Sequence, residues 1–345
     1  MTRGPILRGK RELVARGVAW SGALFALSQL PARDSLMVLT YHRIGDLEND
    51  PWDPGIFSAT GDQFNEQVSY LKRNHSLVTL EEALAFVDGK SKETTPRCRV
   101  LITFDDGYLD NYEIAFPILR SHGAQGLFFL CSGLVGSGFV PWWDHIAYLV
   151  RTARRRRFSL SYPTRLEIDI DKSGLMESLQ CILDLYKTPE NIDLERFIRE
   201  LGEAAGGAEL PAPSRRYLNW DEAREMIEGG MAIGAHTHSH PVLSQLDVEE
   251  QRRELAQSRA ILREQLGIEA DVFAYPFGSV SAFTEQTQQL AQETGYRAAF
   301  SYYGGTNEPG TMQRYNLKRV NVNKQSHARF RVQTGVYRLT GSFWP

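Results

Sequence analysis

The chain is poor in cysteine. Cys98, Cys131 and Cys181 are scattered through 345 residues and form no CxxC pair. Neither a disulfide framework nor a thiolate metal site is expected, and the thiols read as small buried apolar groups. Positive charge is not in excess either: 39 Lys and Arg against 42 Asp and Glu leave a net charge of −3. That removes the field a nucleic-acid partner requires. A membrane-spanning apolar run is missing as well. The uncharged stretch 17–32, GVAWSGALFALSQLPA, is too short and too rich in small residues to span a bilayer. Internal repeats and long low-complexity tracts are also absent.

What is present suffices for a large core. Hydrophobic residues make up 42% of the chain and charged residues 23%, and the length suits a barrel of (β/α) size with an insertion. Arg3, Arg8, Lys10, Arg11 and Arg16 precede the stretch 17–32. Basic followed by apolar resembles a signal peptide, but Leu30-Pro31-Ala32 is a poor cleavage site. Residues 1–34 are therefore expected to form a helical segment before the first strand, with peripheral membrane contact through residues 13–30 as a further reading. A cytoplasmic or membrane-associated place is favoured over a periplasmic or secreted one.

Strand and helix patterns then alternate. SLMVLTYH (35–42) reads as a strand, and Phe64, Val68 and Leu71 mark one helix face. RVLITF (99–104) is a second strand, followed by a helix through 112–121 that stops at Gly123. Further strands are read in 125–133, 231–236, 271–278 and 297–303, and helices in 219–230, 247–266 and 284–294. Asp247 and Glu250 suit a capping box at the start of the second of these helices. The alternation predicts parallel strands, best met by a distorted (β/α) barrel over 35–149 and 216–325. Residues 150–215 break the rhythm and read as a mostly helical insertion that begins with the arginine run 154–157, taken as a solvated face. Residues 326–345 read as a C-terminal tail.

Two stretches carry chemistry. TFDDG (103–107) places Asp105 and Asp106 side by side at the end of an apolar strand, where two like charges repel and lose hydration. HTHSH (236–240) places His236 and His240 four residues apart after another strand. Imidazoles so spaced converge on one metal if the strand runs into a helical turn. A divalent cation would answer the like-charge problem. One aspartate and two histidines make a facial triad, and the other aspartate can take a proton from water. Adjacent strand residues point to opposite faces, so both carboxylates can share a site only where the backbone turns, and Gly107 permits that. A phosphotransferase using the same aspartates would need a phosphate-cradling loop with a lysine, which DDGYLDNY lacks.

TFDDG and HTHSHP resemble the first two motifs of the polysaccharide deacetylases, the NodB-homology group or carbohydrate esterase family 4. The resemblance implies a NodB-type barrel and assigns Asp105 as general base, Asp106, His236 and His240 as metal ligands, and Thr237 as the hydroxyl of the second motif. His238 would stand beside the ligands. VLTYHRIGD resembles the opening strand of the branch that includes biofilm poly-N-acetylglucosamine deacetylases, which implies His42 as general acid with Tyr41 beside it. FAYPFG resembles the third motif but lacks its arginine, so the partner of the base is left to Arg319 or Arg43, or the base does without one. Tyr275, Pro276 and the backbone N–H near Phe277 would line the substrate pocket, Tyr275 being equally suited to the core. Trp142 and Trp143 could stack on sugar rings or serve as packing. His75, His122 and His327 read as surface or helix-end residues.

The implied activity is metal-dependent removal of N-acetyl groups from an N-acetylhexosamine polysaccharide or lipid-linked glycan, in exopolysaccharide or envelope glycan synthesis. Zinc suits the ligand types, with another divalent transition metal as the alternative. The same machinery could serve an O-acetyl esterase or a deformylase, and a non-catalytic glycan-binding module is the reading from another class.

Overall fold

The structure is a computed structural model that describes residues 15, 17, 30–46, 50–91, 97–187, 192–212 and 215–342. Most of the segment 1–34, and with it the membrane contact read at 13–30, lies outside the described residues. Among those described, no helix is long and apolar enough to cross a membrane. The chain divides into two compact units, one of residues 1–45, 57–137 and 216–345, the other of 46–56 and 138–215.

The first unit is built on parallel strands β1 (Ser35–Tyr41), β4 (Ser76–Leu77), β5 (Cys98–Phe104), β6 (Gly126–Leu130), β9 (Ala232–Ala235), β10 (Val272–Ala274), β11 (Ala298–Phe300) and β12 (Arg319–Asn321). Their order is β11-β10-β9-β6-β5-β1-β12, with β4 beside β5. A parallel bridge between Phe300 and Leu317, just before β12, brings the two ends together. The sheet is thus nearly closed into a (β/α) barrel with helices around it. A separate short pair, β2 (Arg43–Ile44) with β3 (Phe57–Ala59), continues from β1.

The twofold period of the strands sorts the core. Met37, Leu39, Tyr41, Val100, Ile102, Phe104, Val320 and Val322 pack with the surrounding helices. Leu36, Val38, Leu101, Leu127, Phe129, Val272, Phe300 and Leu317 form a second cluster inside the ring. Each fully buried Phe or Leu contributes about 1.5–3 kcal/mol. Phe64, Val68 and Leu71 are buried on the helix Gly61–Asn74, and Asp247 and Glu250 form the capping box of Val248–Leu266.

Several expectations need correction. Residues 326–345 contain the helix His327–Thr340, whose Phe330, Thr334 and Tyr337 are buried; the spacing i, i+4, i+7 was present but sparse among polar residues. The helix 112–121 begins as a π-type turn, Asn111–Ala115, in which the Phe116 N–H reaches back to the Asn111 carbonyl, before α-helix Phe116–His122. Cys98 and Cys131 are buried, but Cys181 is exposed on the outer side of helix Leu175–Lys187. His75 caps a helix as read, yet both its ring nitrogens are buried without a hydrogen-bond partner.

The second unit starts earlier than the insertion read at 150. Helix Trp142–Arg151 belongs to it because Ile146, Ala147 and Val150 pack with Leu179, Ile182, Phe197 and Leu201 of helices Leu175–Lys187 and Leu194–Ala205. A hairpin, β7 (Arg157–Leu160) with β8 (Leu166–Asp169), completes it. Its arginine run is engaged locally: Arg155 donates to the Glu203 and Ala204 carbonyls, and Arg156 and Arg157 pair with Asp171 and Asp169.

Candidate active site

The polar residues gather where the strands end at their C-terminal edge. Along β5 the inward series Leu101, Thr103 continues to Asp105, whose N–H still bonds the Tyr41 carbonyl at 3.0 Å. By the same alternation His42 follows Thr40, His236 follows Gly234, and Arg319 follows Leu317. Asp106 would face outward in an extended strand. It instead takes a left-handed conformation (φ 73°), and Gly107 takes another (φ 77°). A Cβ on Gly107 would come within 2.9 Å of Leu130 Cδ2, so glycine is required there for space as well as for φ.

Arg319 supplies the arginine that the third motif lacks. Its two terminal nitrogens meet the Asp105 oxygens at 2.7 and 2.9 Å, and its Nε donates to the Ser301 carbonyl at 2.8 Å. Arg43 is engaged elsewhere, with Asp110 at 2.8 Å. Burial alone would push the Asp105 carboxyl up, but Arg319, then His236 and His42, outweigh it and hold it below the usual carboxylate range. Sequence reasoning named Arg319 only as one candidate; the alternation Arg319, Val320, Asn321, Val322 at the closing strand was the signal that placed it inward.

Asp106, His236 and His240 converge beside this pair, with one donor atom of each within 4.8 Å of the others. His236 Nε2 and His240 Nε2 stand 3.5 and 3.3 Å from Asp106 Oδ1. That oxygen is nevertheless buried without a hydrogen bond. His236 Nδ1 lies 2.7 Å from the Ala274 carbonyl, which can only accept, so Nδ1 carries the proton and Nε2 the lone pair. Burial lowers the His236 pKa to about 4, keeping the imidazole neutral as a ligand must be. The Asp106 carboxyl, raised by burial, is brought far below its usual value by contact with His240 and by the nearby His42 and His236 imidazoles. A buried carboxylate oxygen without a hydrogen bond, beside two imidazole nitrogens of which His236 Nε2 carries a lone pair, fits a divalent cation.

The histidine turn is not helical, contrary to the spacing argument. Thr237 and His240 both adopt positive φ (65° and 63°) in a non-helical bend. Thr237 is fully buried, donates to the His236 carbonyl at 2.5 Å and accepts from the His240 N–H at 3.0 Å, so its hydroxyl is used within the turn. Glu254, which the sequence did not single out, anchors the turn from outside. Its carboxylate accepts from the N–H groups of His238 and Ser239 and from the Ser239 hydroxyl, at 2.8, 2.9 and 2.6 Å. The His238 ring is turned aside to Ser132 Oγ, 3.0 Å away.

His42 Nε2 is 3.9 Å from Asp105 Oδ2, and its side chain is 21% exposed against 3% for Asp105, so the site opens to solvent on that side. Tyr302 stands edge-on to His42, ring centroids 5.6 Å apart, another neighbour the sequence did not reveal. Phe277 lies 5.0 Å from the His240 ring in a positive-φ conformation (59°). Among the described residues, the non-glycine positions with positive φ are Asp106, Thr237, His240 and Phe277. Backbone strain is confined to this site, as functional sites often show.

Tyr41 and Tyr275 are turned into the core. The Tyr41 hydroxyl donates to Gln67, and its ring stacks on Phe104 in the outer core. Tyr275 is fully buried, bonded to the Tyr315 carbonyl and stacked on Phe283. Pro276 is buried between them and Phe277 in sequence. Trp142 and Trp143 belong to the second unit, where Trp142 packs on Tyr186 at 4.3 Å.

A parallel (β/α) barrel with carboxylates and imidazoles at the strand ends defines an enzyme scaffold with its site at the mouth. The family model for polysaccharide deacetylases matches residues 92–299, and the chain belongs to that family. It is 30% identical over 117 residues to the poly-beta-1,6-N-acetyl-D-glucosamine N-deacetylase of Staphylococcus epidermidis, a match covering 30% of this chain and 39% of that one. Among solved structures, the Streptococcus pyogenes deacetylase PplD in complex with acetate aligns with a TM-score of 0.56 at 19% identity, covering 87% of this chain and 97% of that one. IcaB from Ammonifex degensii aligns with a TM-score of 0.56 at 21% identity, covering 89% and 98%. Both share the fold.

Proposed function

We propose that the protein is a divalent-metal-dependent hydrolase that removes N-acetyl groups from an N-acetylhexosamine-containing polysaccharide or lipid-linked glycan, in exopolysaccharide or envelope glycan synthesis. The observation that carries this reading is the Asp106, His236, His240 cluster set beside an arginine-held Asp105. The S. epidermidis relative, named as an N-deacetylase, supports the substrate class. All the proposed catalytic groups belong to the barrel unit.

Asp106, His236 and His240 would hold the metal, and their oxygen and nitrogen donors suit zinc. When bound, the metal supplies Lewis acidity to a carbonyl oxygen and lowers the pKa of water from ~16 toward ~7. Asp105 takes the proton of the attacking water. Arg319 keeps that carboxylate ionised and fixes the direction of its lone pairs. His42 gives a proton to the departing amine, which an amide requires because its free anion is too basic to leave. The Phe277 backbone N–H would stabilise the charge growing on the carbonyl oxygen. The products are acetate and a sugar with a free amine.

The test is acetate release from N-acetylglucosamine oligomers by chelator-stripped protein, with and without added zinc. Zinc-dependent release is expected. A protein that binds no zinc and releases no acetate would overturn the reading.

A further inference from the structure

His42 is held in an unusual way. Among the described residues, no side chain hydrogen-bonds its ring, whereas a histidine that moves protons is commonly aimed by a partner on its second nitrogen. Its aim comes through the backbone. The Asn111 amide donates to the His42 carbonyl at 2.7 Å, and the His42 N–H donates to Ser58 Oγ at 3.0 Å. The next two residues are gripped as well: Arg43 Nε meets Asp110 Oδ2 at 2.8 Å, and the Ile44 N–H meets Asp110 Oδ1 at 3.0 Å. Asn111 also donates to Asp110 Oδ1 at 3.1 Å, which joins the two grips. The Arg43 guanidinium lies over the Phe57 ring, 4.2 Å from its centroid.

Asp110 and Asn111 are buried and follow Asp105 by five and six residues. Asn111 opens the π-type turn, and its amide reaches back to the backbone at the end of β1. The segment that carries the base therefore also grips the segment that carries the acid. We infer that Asn111, together with Asp110, is a positioning residue that sets the distance and direction of His42 relative to Asp105. The inference rests on the proposed role of His42 as proton donor.

Its test uses the leaving group. An amine needs the donated proton, whereas a phenolate does not. The zinc-loaded full chain is assayed on N-acetylglucosamine oligomers and on an aryl acetate that the wild type hydrolyses, with zinc content measured for each variant. Asn111→Ala is expected to lower kcat on the oligomers by about 10- to 100-fold, the scale of a misplacement near 1 Å, with KM and aryl acetate hydrolysis within about threefold of wild type. His42→Ala is the reference and should show the same selectivity at about 10²- to 10⁴-fold. Equal losses on both substrates in His42→Ala would overturn its role as donor and this inference with it. Selective loss in His42→Ala with none in Asn111→Ala would overturn this inference alone. Should Asn111→Ala fail to fold, Ser58→Ala removes the opposite grip and decides in its place: a selective loss of a few-fold upholds the positioning, and unchanged kinetics overturn it.

Discussion

Asp105 and Asp106 are neighbours in sequence, both are buried, and each is held below its usual pKa, yet the two sides of the barrel mouth treat them differently. On one side Arg319 satisfies both oxygens of Asp105 in a bidentate pair. On the other, Asp106 faces two imidazoles with an oxygen that accepts no hydrogen bond. The protein supplies the counter-charge to the first carboxylate and withholds it from the second. On the proposed function, the difference separates a carboxylate kept for proton transfer from one kept for a cation. It originates in the left-handed turn at Asp106 and Gly107, which sends consecutive side chains to separate partners within one site.

The sharpest way to break this contrast is to remove each carboxylate in turn. Asp105→Ala should lower acetate release by at least about 10³-fold while zinc content stays near one per chain. Asp106→Ala should lose the zinc itself, and mass spectrometry of the native protein reads both results. Zinc retained in Asp106→Ala, or lost in Asp105→Ala, would erase the distinction.

The arginine side comes next. Arg319→Met leaves Asp105 buried and uncompensated, so unfolding in urea should show a loss of about 3–5 kcal/mol. Adding Asp105→Asn should recover most of it, because the stranded charge is gone. On the cation side, zinc at a hundred times its dissociation constant should raise stability by about 2.7 kcal/mol in the wild type and not in Asp106→Ala, as thermal unfolding would report.

The smallest effect concerns an imidazole with no ion to bind. His75, like His236, is lowered to about 4 by burial, with Arg338 adding to it, but no ligand cluster surrounds it among the described residues. The folded state keeps His75 neutral while the unfolded chain protonates below about 6.5. Its contribution is therefore complete above that pH and is lost as pH falls from there toward 4. His75→Phe should flatten that window, shrinking the difference in unfolding free energy between pH 7.5 and 5.5 by about 1 kcal/mol. An unchanged difference would place the acid sensitivity elsewhere.

Much of this was readable in advance because the strands obey their period. SLMVLTY and RVLITF formed strands, and the two motifs together with the VLTYH stretch delivered five residues that meet at the mouth. Thr237 and Tyr41 misled because a polar atom near a motif looks the same in sequence whether it faces substrate or is used within the fold, while Tyr275 took the core role that was read as its equal alternative. Arg319 was legible only by its parity on a three-residue strand, too short to stand out from the surrounding loop. The positive φ values left no trace, since Asp, Thr, His and Phe do not announce a left-handed backbone as glycine does. Asn111 went unread because nothing in the sequence marks an asparagine whose amide grips a backbone carbonyl 69 residues away.

The pair between Arg319 and Asp105 joins positions 214 residues apart, across the strand that completes the ring. A chain emerging from the ribosome therefore carries Asp105, Asp106 and both histidines long before it can orient its base. The proposed metal ligands lie within the first 240 residues and are oriented by Glu254 and Ala274, whereas the Asp105 carboxylate is gripped only by the last strand.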